Sequence, residues 1–214
     1  MERVRREQII GVILAGGLSS RMGGGDKGLL PLGRTSMLGE VVRRLTSQVA
    51  GLVLSANGDP SRFADLALPV VPDMAESHAG PLAGILAGMR WAETNTSSAT
   101  HVLSVPSDVP FLPPDLVRRL VSALEGSGSR LAMARSAGAL HPVIGLWPVD
   151  LSNDLEARLG AGARKVRAWA GSYAATVVDF PLLPIGKETI DPFFNANTPA
   201  ELAEVRRLLD VVDP

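Results

Sequence analysis

Strand-length apolar runs alternate with helix-length amphipathic stretches through the first half of this 214-residue chain. The apolar runs predict β-strands at residues 9–14, 52–56, 69–72 and 101–105. The amphipathic stretches, where apolar residues recur every three or four positions, predict helices at residues 36–48, 80–93 and 114–124. Such alternation with short connections favours a parallel sheet with helices on both faces. We therefore predict an α/β fold, a three-layer α/β/α arrangement with a Rossmann-like, mostly parallel sheet, formed by a single domain over residues 1–214.

Shorter elements follow in the second half of the chain. The pattern predicts strands at residues 131–134, 142–147 and 176–180 and helices at residues 154–159 and 164–170. The clearest helix start is Thr198, a threonine N-cap followed by Pro199 at the first helical position and by Glu201 three residues after the cap. This capping box predicts a final helix that begins at Pro199.

A glycine-rich loop follows the first predicted strand. Residues 14–27 contain five glycines together with Arg21 and Lys27, and we expect the residues after them, 28–32, to be extended. Glycine lets backbone N–H groups approach a phosphate, and the two cations add positive charge there. A Walker A loop is excluded because Lys27 is followed by Gly28 rather than by serine or threonine. We predict a polyphosphate site in which Lys27 and Arg21 are catalytic, the alternative being a solvated surface loop.

Polar side chains stand just beyond the other predicted strands. Asn57 follows the second strand, Asp73 the third and Asp108 the fourth. Ligands of open α/β sheets bind beyond the carboxyl ends of the strands, so we expect these side chains at one edge with the glycine loop. Asp108 is the predicted Mg²⁺ ligand, since a nucleotide-bound Mg²⁺ needs only one or two carboxylates. All three are also common turn residues, and Asp26 is either a second carboxylate or an orienting partner of Lys27.

Composition excludes several classes of protein. A formal net charge of -1 offers no electrostatic footprint for nucleic acid. The absence of cysteine rules out disulfides, thiol catalysis and cysteine metal sites. No run approaches the ~18 apolar residues of a membrane span. The arginines before residue 9 imitate a signal peptide, but the apolar run after them is short and ends in the glycine loop. We expect a cytoplasmic protein with no nucleic-acid or membrane partner.

Separate blocks of the sequence match the motifs of one enzyme family. The blocks are 14–27, Asp73 with 80–84, 107–110, His141 with Pro142, and 195–199. In order and approximate spacing they resemble the molybdenum cofactor guanylyltransferases, the MobA family, over nearly the whole chain. The resemblance implies a sheet of the nucleoside-diphospho-sugar transferase type.

The resemblance also implies site residues. The residues that would contact GTP are Leu14, Ala15, Gly16, Gly17, Lys27, Asn57 and Asp73. Asp108 would hold Mg²⁺. Asn195, Asn197 and the segment around His141 would lie on the side of the pterin substrate.

The implied reaction is transfer of GMP from GTP to the terminal phosphate of molybdopterin, with release of pyrophosphate. We further expect transient contact with other proteins of molybdenum cofactor biosynthesis. One alternative is a sister enzyme, either a cytidylyltransferase acting on the same pterin or a sugar-1-phosphate nucleotidyltransferase. A second alternative is a regulatory nucleotide-binding module without catalysis, against which the presence of Asp108 argues.

Overall fold

Strands and helices alternate along the chain, as predicted. The computed structural model describes residues 4–15, 26–73 and 80–212. Within them the strands are β1 (Ile9–Leu14), β2 (Pro31–Leu32), β3 (Thr35–Ser36), β4 (Gly51–Ser55), β5 (Val70–Val71), β6 (His101–Pro106), β7 (Ala132–Ser136), β8 (Ala139–Pro148), β9 (Thr176–Phe180), β10 (Leu183–Ile185) and β11 (Glu188–Ile190). The helices are α1 (Met37–Thr46), α2 (Pro81–Asn95), α3 (Leu116–Ser127), α4 (Ser152–Gly160), α5 (Val166–Gly171) and α6 (Pro199–Val212). None of the helices in this described part is both long and apolar enough to cross a membrane.

Seven of the described strands form one sheet in the order β5-β4-β1-β6-β8-β7-β9. β1 pairs in parallel with β4 and β6, β5 pairs in parallel with β4, and β9 pairs in parallel with β7. β8 pairs antiparallel with both β6 and β7, so it alone among these seven strands runs against the others. The predicted mostly parallel sheet is confirmed.

Helices cover both faces of the sheet. On one face, Ile9 and Ile13 of β1 belong to a buried apolar cluster with residues of α1 and α3. On the other face, Ile10 and Val12 belong to a second cluster with residues of α2, α4 and α5. A strand buried on both faces must be apolar throughout, which is why the run at 9–14 is continuous rather than alternating. The three-layer arrangement is therefore confirmed.

Small residues let α2 approach the sheet closely. A Cβ atom added at Gly88 would lie 2.7 Å from Val12 Cβ, and one added at Gly84 would lie 2.7 Å from Leu14 Cδ2. Real Cβ atoms do not come so close, so a side chain at either position requires its neighbour to shift. At Gly88 the neighbour is the branched base of Val12, which cannot turn away, whereas at Gly84 it is the end of the Leu14 side chain. The close packing brings the beginning of α2 against the carboxyl end of β1.

The structure corrects two expectations about the connecting segments. The stretch 28–32 was expected to be extended throughout, but a 3₁₀ turn, Lys27–Leu29, precedes the short hairpin of β2 and β3. A second hairpin, β10 with β11, lies in a region where the sequence indicated no strand. Residues of both hairpins form a third buried cluster with Met37, Phe111 and the apolar face of α6. This cluster fixes the segment before α6 beside the 3₁₀ turn that begins at Lys27.

Candidate active site

The carboxyl ends of the central strands are joined directly by backbone hydrogen bonds. Ala15 N–H donates to the Ser55 carbonyl at 2.9 Å, and Ser107 N–H donates to the Leu14 carbonyl at 3.1 Å. Ala56 N–H donates to the Val71 carbonyl at 3.0 Å. The segments that follow β1, β4, β5 and β6 therefore leave the sheet side by side. This is the edge at which the polar residues were predicted to meet.

Lys27 lies at the meeting point of three parts of the chain. Its Nζ donates a short hydrogen bond to Oδ1 of Asn197, a residue 170 positions away, and lies 3.8 Å from Asp108 Oδ2. The side chains of Lys27 and Asp108 are 20% and 16% exposed. Lys27, Asp108 and Asn197 thus form one charged cluster that a ligand can reach. From the sequence they were assigned to the nucleotide, the metal and the pterin, respectively.

The environment of Asp108 fits a cation brought by a nucleotide. Burial raises the pKa of Asp108, and the positive charge of Lys27 offsets this only in part, so a further cation would stabilise the carboxylate. The described residues contain no group of three or more histidine, aspartate or glutamate side chains able to hold a metal by themselves. A lone carboxylate suits Mg²⁺, whose remaining positions are filled by phosphate oxygens and water.

Asp26 is engaged elsewhere. Its Oδ2 accepts a hydrogen bond from Arg62 Nε at 2.5 Å. The sequence left open whether Asp26 would orient Lys27 or join Asp108 as a second carboxylate. The structure pairs the Asp26 side chain with an arginine that the sequence did not single out.

Asn57 and Asp73 form a second polar cluster, as their positions after β4 and β5 predicted. Asn57 Nδ2 donates to Asp73 Oδ2 at 3.1 Å, and Asp73 N–H donates to Asn57 Oδ1 at 2.9 Å. Ser55 Oγ donates to Asp73 Oδ1 at 2.7 Å. Ser55 was missed in the sequence, although it is a polar residue at the end of an otherwise apolar strand. Each carboxylate oxygen of Asp73 accepts one of these side-chain bonds and keeps further capacity for a ligand.

The predicted cap of α6 is confirmed and it positions Asn197. Glu201 N–H donates to Thr198 Oγ1 at 3.2 Å, and Glu201 Oε2 accepts from Asn197 N–H at 2.7 Å. The glutamate thus binds the backbone of the residue before the cap as well as the Thr198 hydroxyl, at 3.0 Å. The side chain of Asn195 is exposed, and its carbonyl accepts from Asn197 Nδ2 at 3.4 Å.

His141 packs against the segment that leads to the two asparagines. Its ring lies 4.9 Å from that of Phe193, and its Nε2 lies 2.7 Å from Ser136 Oγ. Ser136 donates its single hydrogen to Asp191 Oδ1 at 2.6 Å, so it accepts from Nε2–H of His141. Burial lowers the pKa of His141, which agrees with a neutral ring. His141 therefore supports the segment containing Asn195 and Asn197 through its neighbours.

Gly16, Gly17 and Arg21 lie outside the described residues, so their roles stay predictions. Leu14 is half-buried and Ala15 is buried at the carboxyl end of β1, where the contact with nucleotide was predicted.

Comparison with known proteins identifies the family. A family model described as the MobA-like NTP transferase domain matches residues 11–177. Relatives named molybdenum cofactor guanylyltransferase include one from a Bradyrhizobium species, 48% identical over 204 residues, which are 95% of this chain and 94% of the relative. Another, from Rhodopseudomonas palustris, is 50% identical over 198 residues, 92% of this chain and 90% of the relative.

The chain belongs to the molybdenum cofactor guanylyltransferase family.

Solved structures show the same fold at lower sequence identity. Molybdopterin-guanine dinucleotide biosynthesis protein A from Archaeoglobus fulgidus superposes with a TM-score of 0.69 at 20% identity, over 94% of this chain and 98% of that one. A CMP:2-keto-3-deoxy-manno-octonic acid synthetase solved with CTP also reaches a TM-score of 0.69, at 15% identity. The predicted fold of the nucleoside-diphospho-sugar transferase type is confirmed, and so is the resemblance to molybdenum cofactor guanylyltransferases that was carried by the sequence blocks.

Proposed function

We propose that this member of the molybdenum cofactor guanylyltransferase family transfers GMP from GTP to the terminal phosphate of molybdopterin. The products would be pyrophosphate and a molybdopterin guanine dinucleotide. The observation that carries the proposal is the position of Lys27, whose ammonium group bonds to Asn197 and lies 3.8 Å from Asp108. A cation held between the proposed metal ligand and the proposed pterin segment suits a reaction that joins two phosphates.

The proposed chemistry needs no nucleophilic side chain. An oxygen of the pterin phosphate, already anionic at neutral pH, attacks the α-phosphorus of GTP and forms the new P–O bond. The bond from the α-phosphorus to the oxygen that bridges to the β-phosphate breaks, and its electron pair leaves with pyrophosphate. Lys27 supplies positive charge where negative charge accumulates during this exchange. Asn197 holds the ammonium group in place, so catalysis rests on positioning and charge stabilisation.

We propose Mg²⁺ as the cofactor, held by Asp108 together with oxygens of the nucleotide. When bound it would neutralise phosphate charge that Lys27 alone leaves uncompensated. Removal of divalent cations with a chelator should abolish turnover, and added Mg²⁺ should restore it. Full turnover in the presence of the chelator would contradict the proposed cofactor.

We propose that the cluster of Asp73, Asn57 and Ser55 reads the guanine base. The carboxylate of Asp73 accepts from both of its neighbours and has lone pairs left for two more donors. Guanine presents adjacent donors, the N1–H and the exocyclic amine. Cytosine presents one amine beside an unprotonated nitrogen, which a carboxylate would repel. The arrangement therefore favours GTP over CTP.

Turnover of a Lys27→Ala variant tests the proposal. Loss of a charge-stabilising group of this kind lowers kcat by roughly 10²–10³-fold. The matched control is Lys187→Ala, which removes an exposed lysine from the turn between β10 and β11. Pyrophosphate release from GTP and molybdopterin should fall in the first variant and stay unchanged in the second. A Lys27→Ala enzyme within a few-fold of the wild type would refute the assignment.

A further inference from the structure

Arg62 connects the end of the glycine-rich loop to the edge that carries Asn57. It lies in the 3₁₀ segment Pro60–Leu66 that follows β4. Its Nε donates to Asp26 Oδ2 at 2.5 Å, its Nη1 to the Asp59 carbonyl at 2.8 Å and its Nη2 to the Asn57 carbonyl at 2.6 Å. One guanidinium group thus binds three acceptors from two separate segments of the chain.

The local backbone is shaped to admit this guanidinium. Gly58 has φ +85, in the left-handed region that favours glycine, and a Cβ atom there would lie 3.0 Å from Arg62 Nη1. The guanidinium also lies 4.5 Å from the ring centre of Phe63, a buried side chain. The turn after β4 therefore holds Arg62 in one orientation, with its Nε toward Asp26.

Asp26 affects both the position of Lys27 and the electrostatic environment around it. The Asp26 carbonyl accepts from Leu29 N–H at 3.1 Å and so begins the 3₁₀ turn Lys27–Leu29. The Asp26 side chain is only 14% exposed, so its charge is poorly screened by water. A carboxylate next to Lys27 would repel a triphosphate unless a cation neutralises it. Arg62 is the partner that does so.

We propose that Arg62 is a positioning residue of the nucleotide site. It neutralises Asp26 beside the phosphates and fixes Lys27, at the phosphate end, relative to Asn57, at the base end. This inference rests on the proposed function for the identity of the nucleotide. It concerns the affinity for the nucleotide rather than the chemical step, because Arg62 acts through Asp26 and Asn57.

Calorimetric titration of the protein with GTP, in the presence of Mg²⁺ and without pterin, tests the proposal. Three variants are compared with the wild type. Arg62→Met should weaken GTP binding on the order of tenfold or more, because it leaves the Asp26 charge uncompensated. The double variant Asp26→Asn with Arg62→Met removes both charges and should recover the part of that loss that comes from the uncompensated Asp26 charge. A purely structural role of Arg62 would not produce this recovery. Arg62→Lys, which keeps the charge but not the three directed bonds, should fall between Arg62→Met and the wild type.

The matched control is Arg90→Met in α2. Arg90 is 25% exposed, against 29% for Arg62, and bonds to Glu93, Ser152, Asn153 and Glu156. Its loss removes a comparable network of hydrogen bonds. Because Arg90 lies in the C-terminal half of α2, away from the end that contacts β1, the affinity for GTP should stay unchanged. Urea unfolding of each variant establishes that it is folded before titration.

Three results would overturn the inference: wild-type affinity in Arg62→Met, a double variant as weak as Arg62→Met, or an equal loss in Arg90→Met. Failure of the proposed function would be distinct. A wild-type protein that binds CTP and not GTP would contradict the proposed base, and the same variants titrated with CTP would still decide the role of Arg62.

Discussion

The burial of His101 predicts a loss of stability in mild acid. His101 begins β6, is 8% exposed, and its Nδ1 lies 2.9 Å from Thr100 Oγ1. Burial lowers its pKa from 6.5 to about 4, with Asp150 opposing the shift and Arg130 adding to it. The folded protein therefore resists protonation of this ring, whereas the unfolded chain takes the proton as the pH falls through 6.5.

The sign and size of the effect follow from linkage. Because the pKa is lower in the folded state, the contribution of His101 to stability is complete above pH 6.5 and is lost as the pH falls toward 4. Between pH 7.5 and pH 5 the unfolded state gains about 2 kcal/mol from protonation that the folded state does not gain.

Urea unfolding of the wild type and of His101→Asn, at pH 7.5 and at pH 5, measures this loss of stability. Asparagine keeps a polar atom near Thr100 but does not titrate, and every other titrating group is common to both proteins. The free energy of unfolding of the wild type, taken relative to the variant, should fall by about 2 kcal/mol between the two pH values. An unchanged difference would refute the account of His101 as a histidine buried in its neutral form.

Two further predictions concern packing and the support of the pterin segment. Gly88→Ala should lower the free energy of unfolding by up to about 2 kcal/mol, because overpacking against Val12 outweighs the gain in helix propensity. Gly126→Ala in α3, where a Cβ atom meets nothing within 4 Å, should be neutral or stabilising; loss of stability in both variants would contradict the packing argument. Ser136→Ala should cost about 1–3 kcal/mol, because Asp191 loses a buried donor, and should raise KM for molybdopterin more than KM for GTP. Equal changes in both KM values would exclude the supporting role.

Much of the sheet could be predicted because burial on both faces leaves a clear apolar record. The predicted strand 9–14, which is buried on both faces, agrees with β1 at both ends. The predicted strand 176–180 also agrees with β9, an edge strand in which half-buried and exposed residues alternate. The proximity of Asn57 and Asp73 could also be predicted. The residues that follow neighbouring parallel strands lie at the same edge of the sheet.

The sequence did not indicate the tight hairpin between β7 and β8. Its turn residues, Ala137 and Gly138, have φ +47 and +78, the conformation for which asparagine or aspartate followed by glycine is the usual signal. Alanine at a positive φ gives no such signal, so the strands were predicted shorter than they are. The hairpin of β10 and β11 was missed because its strands have three residues each, too few to show a period.

Contacts between distant segments escaped prediction from the residues alone. The hydrogen bond between Lys27 and Asn197 joins residues 170 positions apart. The local sequence around either residue does not indicate that the two side chains interact. The pairing of Asp26 with Arg62 depends on the turn at Gly58, which is visible only once the backbone is folded. The roles of Gly16, Gly17 and Arg21 remain predictions from the sequence.

The most direct test of the proposed function follows the α-phosphate. Purified protein, Mg²⁺ and molybdopterin are incubated with GTP labelled at its α-phosphate, and in parallel with CTP labelled in the same way. The label from GTP should enter the pterin product with release of an equal amount of pyrophosphate, and CTP should transfer little label. Transfer from CTP in preference to GTP would contradict the guanine site at Asp73, and transfer from neither would contradict the proposed reaction itself.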